Sequence, residues 1–189
     1  SGNLEQVRNT IYLTADNTYQ GTTTIGSTGQ NAVIRVGNDT YTGSIGTGDV
    51  IVQSSAGGNS QLRYHLNQDY TLANNITLLP NSDASTARNA DLVKEGLGTM
   101  TYTGTLSGGA HTVGTGTQRS VVTANAGGAF IFAGTLDSPA GREVDFSNNG
   151  VIKIAGSASQ TFNGALIGNN VWVFQNSGTT TLSGTNTVN

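Results

Sequence analysis

The sequence predicts an all-β fold in which many short strands stack on one another as a β-solenoid. Three observations carry that prediction. Gly is abundant (27 of 189 residues), only 10% of residues are charged, and Thr, Asn and Ser are frequent. Apolar and polar residues alternate over short stretches, the period of a half-buried strand. A seven-residue frame, opened and closed by Gly, recurs along the chain, and an internal repeat outranks other signals. Its clearest copy lies within Leu92–Gly104, where Met100 and Tyr102 alternate with Thr99, Thr101 and Thr103 between Gly98 and Gly104.

Further copies are Gly37–Gly43 (GNDTYTG), Gly128–Gly134 (GAFIFAG), Gly150–Gly156 (GVIKIAG) and Gly178–Gly184 (GTTTLSG). Ala15–Gly21 (ADNTYQG) and Ala158–Gly164 (ASQTFNG) are looser copies, and Asp69–Asn75 (DYTLANN) fits as a degenerate one. The fourth residue after the opening position is apolar in each of the Gly- and Ala-opened copies: Tyr19, Tyr41, Tyr102, Phe132, Ile154, Phe162 and Leu182. A period of two then predicts Tyr41, Tyr102, Phe132, Ile154, Phe162 and Leu182 buried, and Thr101, Thr103, Lys153 and Ser183 exposed.

In chain order, residues 4–14 read as a strand and as the N-terminal cap. Residues 17–26 read as strand, turn, strand. Strands follow at 32–36, 41–45, 49–53, 61–66 and 70–79, with a loop at 54–60. Residues 80–91 (PNSDASTARNAD) break the pattern, because Pro80 and the run of polar residues favour a loop excursion from the body. From residue 92 the repeat runs to the end of the sequence. Residues 1–189 thus form a single solenoid segment with rungs of roughly 20–30 residues. A strand with one apolar face must lay that face on something. In a coil it lies on the rungs above and below, about 4.8 Å away, with Thr on the outer pleat or stacked with Asn in ladders.

At these residues the chain resembles the autotransporter-associated β-strand repeats of bacterial type V secreted proteins. Leu92–Gly104 follows the first half of that repeat and Asn17–Ile25 the second, with Gly43–Val50 and Tyr70–Ile76 as linking stretches. The resemblance covers most of residues 15–184. It implies a right-handed parallel β-helix within a passenger region, exported through the periplasm and displayed on, or secreted from, a Gram-negative cell. The closing TNTVN reads as the start of another repeat, as if cut from a longer array, and as an uncapped end that associates with a second copy.

Composition narrows the functional classes. A net charge of −3 with eight scattered Lys and Arg gives no basic stripe for nucleic acid. Cys is absent, so neither a disulfide framework nor a thiolate metal site is expected. No apolar run approaches the roughly 18–20 residues of a membrane helix, so no membrane contact by this segment is expected. No signal peptide stands at its start.

Candidate chemical residues each have a plainer reading. His65 and His111 read as exposed or turn histidines, because no nucleophile elbow or metal-ligand spacing accompanies them. Asp137, Glu143 and Asp145 are the densest acidic cluster. Paired carboxylates serve glycosidases, but Arg142 lies among them and the stretch reads as a solvated turn. Asn38-Asp39-Thr40 and Asn75-Ile76-Thr77 match the glycosylation sequon in an Asn- and Thr-rich chain. Gly46-Thr47-Gly48 and Gly114-Thr115-Gly116 lack the rest of a phosphate loop. In VWVF, Trp172 and Phe174 are expected on the inner side.

The expected function is structural and adhesive: a rigid rod, not an enzyme, meeting host or neighbouring-cell surfaces and their glycans through a spread Thr/Asn face. No catalytic residue, metal or cofactor is expected. The alternatives are a carbohydrate-active β-helix enzyme or a glycan-binding module, with a carboxylate cleft. An ice-binding solenoid would need more regular Thr rows.

Overall fold

The computed structural model describes residues 2–26, 30–38, 41–55, 57–81, 88–108, 111–113, 116–118, 120–124, 130–137, 143–145, 152–154, 160–162, 165–168, 171–173, 179–183, 185 and 187–188. They are all-β, and no helix occurs among them. Three parallel sheets account for nearly all the strands. The first orders Leu4–Gln6, Thr23–Ile25, Val50–Gln53, Ile76–Leu79, Thr105–Gly108 and Thr135–Asp137. The second, of eight strands, orders Asn9–Leu13, Ala32–Val36, Ser60–His65, Ala90–Glu95, Ser120–Ala124, Glu143–Asp145, Ala165–Gly168 and Thr187–Val188. The third orders Tyr70–Leu72, Met100–Tyr102, Phe130–Phe132, Ile152–Ile154 and Val171–Val173. Gln160–Phe162 and Thr180–Leu182 form a separate parallel pair, and His111–Val113 with Gly116–Gln118 an antiparallel one.

Each strand pairs with the corresponding strand one circuit later. Leu62 pairs with Ile34 before it and Leu92 after it, and Met100 pairs with Tyr70 and Phe130. The pleat then stacks like on like. Ile34, Leu62, Leu92 and Val122 make one buried column, and Ile25, Val52 and Leu78 another. Met100 with Phe130, and Tyr102 with Phe132, make two more, the second pair with ring centroids 5.5 Å apart. Burying such a side chain contributes about 1.5–3 kcal/mol, so the columns hold the sheets face to face without a wide core.

Hydrogen bonds between circuits fix the corners. Asn31 accepts from the Asn59 N–H at 2.9 Å through its Oδ1, and Asn59 accepts likewise from Asn89 at 3.0 Å. This is an asparagine ladder at the entry to the second sheet. At the entry to the first sheet, Asn74 donates to the carbonyls of Gly46 and Gly48, each at 2.7 Å, and Asn75 accepts from Thr105 at 3.1 Å. Gly104 sits on this corner because a Cβ there would meet the Asn74 carbonyl at 2.1 Å.

Within the frames, Met100–Tyr102, Phe130–Phe132 and Ile152–Ile154 stack in register in the third sheet, and Gln160–Phe162 stacks on Thr180–Leu182. The copy placed at Asp69–Asn75 is corrected by one residue. Tyr70 and Leu72 pair with Met100 and Tyr102, so the copy opens at Gln68. Tyr102 and Phe132 are buried, Leu182 is half-buried, and Thr103 and Ser183 are exposed as expected. Thr101 is half-buried, not exposed. The side chains of Ile154, Phe162 and Lys153 lie outside the described residues.

Tyr41 is 60% exposed, against expectation, and residues 41–45 hold no strand. The Asn38 side chain accepts from the Tyr41 N–H at 2.6 Å, and the Asn38 N–H donates to the Tyr41 carbonyl. That local turn lifts Tyr41 out of the column, and Ile45, 5% exposed, fills the interior. Residues 17–20 likewise hold no strand. The stretch read as one strand over 70–79 is two, because the chain turns a corner at Ala73–Asn75 between the third and first sheets. Within the expected excursion over 80–91, Ala90 and Asp91 already belong to the strand Ala90–Glu95. Residues 82–87 lie outside the described part.

Candidate functional site

Among the described residues, the outer face of the second sheet gathers a cluster of charged and polar side chains. Because inward residues alternate with outward ones, the register sets Thr10, Val33, Gln61 and Asp91 in one outer row. Tyr12, Arg35, Arg63 and Val93 form the next, with His65 beside Glu95 beyond it. No two of these side chains on different strands are closer than about twenty residues in sequence; the circuit brings them together.

Glu95 is the hub. Its carboxylate takes Arg35 at 3.1 Å and Arg63 at 2.8 Å, and His65 Nδ1 lies 3.6 Å away. Arg35 also contacts His65 Nδ1, and its guanidinium lies 6.0 Å from the ring centre of Tyr12, which is 57% exposed. Two guanidinium groups against one carboxylate leave this row with excess positive charge. One row over, Gln61 donates to the Asp91 carboxylate at 2.7 Å, and Asp91 is 8% exposed. A groove of about 330 Å³ runs beside it, lined by Thr10, Asn31, Val33, Asn59 and Gln61. Hydroxyl and amide side chains both donate and accept, and an exposed tyrosine ring offers a flat apolar surface with a polar tip. Such a face suits a polyhydroxylated ligand held by many weak contacts.

The interior carries a second polar group. Lys94 occupies the inward column of Val36 and Tyr64, fully buried, and donates to the Gly96 carbonyl at 2.8 Å. Burial lowers its pKa from the usual lysine value, and the Asp69 carboxylate offsets part of that. Burial pushes the Tyr64 and Tyr102 hydroxyls well above the usual phenol range.

The residues singled out by sequence fall elsewhere, apart from His65. That histidine is half-buried at the end of a strand within the Glu95 cluster, not in a turn. His111 lies in the antiparallel pair. Asp137 ends a strand of the first sheet while Glu143 and Asp145 lie in a strand of the second, so the three are not one turn. Arg142 is outside the described residues. Trp172 pairs with Lys153, in the row of Thr101 and Ile131, and Val171 and Val173 take the row of Phe130 and Phe132. The side chain of Trp172 lies outside the described residues, as does Phe174. Asn38 and Asn75 serve the Tyr41 turn and the corner ladder, and Gly46 and Gly48 accept from Asn74. Residues 39, 40, 114 and 115 are not described.

Sequence reasoning missed Tyr12, Arg35, Gln61, Arg63, Asp91 and Glu95. The available signal was the 28-residue step from Arg35 to Arg63 and the 30-residue step from Gln61 to Asp91, visible only when the repeat is phased on the second sheet. Among the described residues no group of three or more His, Cys, Asp or Glu is placed to hold a metal ion, and no helix is long and apolar enough to cross a membrane. Compared with known proteins, the chain matches no family model, no curated protein and no solved structure.

Proposed function

We propose that this chain is a right-handed parallel β-helix segment that acts as a structural and adhesive rod. It belongs to the passenger region of an exported bacterial surface protein. The observation that carries the reading is the rotation of the chain through the three parallel sheets, with Tyr70, Met100 and Phe130 in register at steps of 30 residues. A chain that returns to the same column on every circuit grows along one axis, and each rung contacts only its neighbours. That is the build of a spacer or display rod. The resemblance of Leu92–Gly104 and Asn17–Ile25 to autotransporter repeats supports the same reading.

Adhesion is assigned to the outer face of the second sheet, with surface glycans as partner. The test is binding of the purified chain to immobilised glycans and to whole cells, with reducing-sugar release measured in parallel. The expected outcome is weak, multivalent binding without release, lowered about fivefold or more by Tyr12→Ala combined with Gln61→Ala, the loss of one stacking and one hydrogen-bonding contact. Sugar release that disappears in Asp137→Asn/Glu143→Gln/Asp145→Asn would replace the rod with a carbohydrate-active enzyme.

A further inference from the structure

The groove on the outer face of the second sheet runs along the axis of the stack. Its lining comes from three successive circuits: Thr10 from the first, Asn31 and Val33 from the second, Asn59 and Gln61 from the third. Asn31 and Asn59 stand on one side, in the ladder at the entry to the sheet. Thr10, Val33 and Gln61, opposite one another in the register, make the other side. None of the five is charged. Thr10 and Asn31 are exposed, and Val33, Asn59 and Gln61 are half-buried, so the groove is open to solvent along its length.

The bonds that hold the fold also orient the polar atoms of the groove. An asparagine amide has an acceptor oxygen and a donor nitrogen. In the ladder, Asn31 and Asn59 each use Oδ1 to accept a backbone N–H of the next circuit, at 2.9 and 3.0 Å. Their Nδ2 donors are left over, and no described residue takes them. Across the groove, Gln61 donates Nε2 to Asp91 at 2.7 Å, which leaves its Oε1 as an acceptor. Successive Nδ2 donors are one circuit apart, about 4.8 Å.

Spacing and charge decide which polymer fits. An extended peptide advances about 3.3 Å per residue and falls out of step with the ladder. A nucleic-acid strand advances about 3.4 Å per phosphate and meets no cation in the groove. An extended β-linked glucan advances by close to one strand spacing per sugar, and its hydroxyls donate and accept along both edges. Resting on the reading of this face as glycan-binding, we propose that the groove holds an uncharged, extended β-linked glucan along the axis of the stack, one sugar per circuit. On one edge its oxygens accept from the Nδ2 of Asn31 and Asn59. On the other edge its hydroxyls meet Gln61 Oε1 and the Thr10 hydroxyl, with a ring face over Val33.

The test is calorimetric titration of the full chain with glucose, cellobiose, cellotriose, cellotetraose and maltotriose. Affinity is expected to rise about fivefold with each added sugar, the factor one hydrogen bond supplies. The rise is expected to end at cellotriose, which fills the three circuits. Maltotriose, whose α-linkages curl the chain off the axis, is expected to bind no better than glucose. Asn59→Asp keeps the ladder acceptor and removes the donor. It is expected to weaken cellotriose about fivefold with an unfolding midpoint close to wild type. Should that variant unfold, Asn31→Asp, at the exposed end of the ladder, removes a donor of the same kind. Equal affinity for glucose and cellotriose, maltotriose as tight as cellotriose, or a cellotriose affinity untouched by both Asp variants overturns the axial groove. In any of these cases, cell binding that still falls in Tyr12→Ala/Gln61→Ala leaves the adhesive face standing. Absence of all glycan and cell binding overturns both.

Discussion

Lys94 is the residue whose position runs most directly against composition. It sits in a column of apolar neighbours, with one carbonyl for its ammonium and Asp69 as partial counter-charge. Burial lowers its pKa, so between that lowered value and the ordinary 10.5 the unfolded chain binds more protons than the folded one. Folding stability must therefore rise with pH through that window. Tyr64, Tyr70 and Tyr102 act in the opposite sense, because their raised values make the unfolded chain release protons first above about pH 10. Urea unfolding from pH 7 to 11 is expected to show stability climbing toward the lysine range and then falling. In Lys94→Met the climb is expected to vanish while the fall remains, with stability at pH 7 equal or higher by about 1 kcal/mol or more, since a buried charge is exchanged for an apolar chain of similar length. A Lys94→Met protein that keeps the climb would place its origin elsewhere.

Single residues were only partly legible in the sequence. Met100, Tyr102, Phe130 and Phe132 showed their burial through the period of two alone. Tyr41 carried the same local pattern and was misread, because the side chain of Asn38 diverts the backbone and the frame takes no account of that bond. Glu95 and its two arginines show nothing locally; the cluster exists only once residues 35, 63 and 95 have been set side by side by pairing.

Strands of two to six residues are too short to hold their own register, and here the corners hold it for them. Slippage by one residue would turn every inner side chain outward, as the misplacement of the Asp69–Asn75 copy illustrates: it would have put Thr71 and Ala73 where Tyr70 and Leu72 belong. The asparagine ladder is the device at the entry to the second sheet. Asn59 donates one ladder bond through its own N–H and accepts the next through its side-chain Oδ1. Asn59→Ala leaves the Asn89 N–H without that acceptor, and the expected cost is about 1–3 kcal/mol. Asn59→Asp keeps an acceptor oxygen in the same place and is expected to recover most of the loss. Equal unfolding midpoints for Ala and wild type would show the ladder to be incidental. The ladder was legible as a tendency, from the frequency of Asn, but its residues were not, since Asn31, Asn59 and Asn89 lie outside every copy of the Gly frame.

At the scale of the molecule, the all-β parallel architecture was legible because an internal repeat forces equivalent residues into equivalent places. The phase was less so. The Gly frame marks the third sheet and the Gln160–Phe162 pair, whereas the eight-stranded second sheet, the longest, carries no such frame in Ala32–Val36, Ser60–His65 or Ala90–Glu95. Its periodicity appears in the pairing: Ser60 lies opposite Ala90, and Ala90 opposite Ser120. If the chain is a stack of nearest-neighbour rungs, whole rungs are removable units. Deleting residues 61–90 joins Ser60 to Asp91 and returns every later strand to an existing column. Deleting residues 61–89 joins Ser60 to Ala90 and offsets everything that follows by one, exchanging inner and outer faces from Ala90 onward. The 30-residue deletion is expected to keep a β circular dichroism spectrum and one cooperative urea transition. Its m-value should fall roughly in proportion to the lost length, because m follows the surface exposed on unfolding. The 29-residue deletion is expected to lose cooperativity or aggregate. Equal behaviour of the two deletions would mean that the chain does not tolerate rung removal as a solenoid must, and would count against the rod itself.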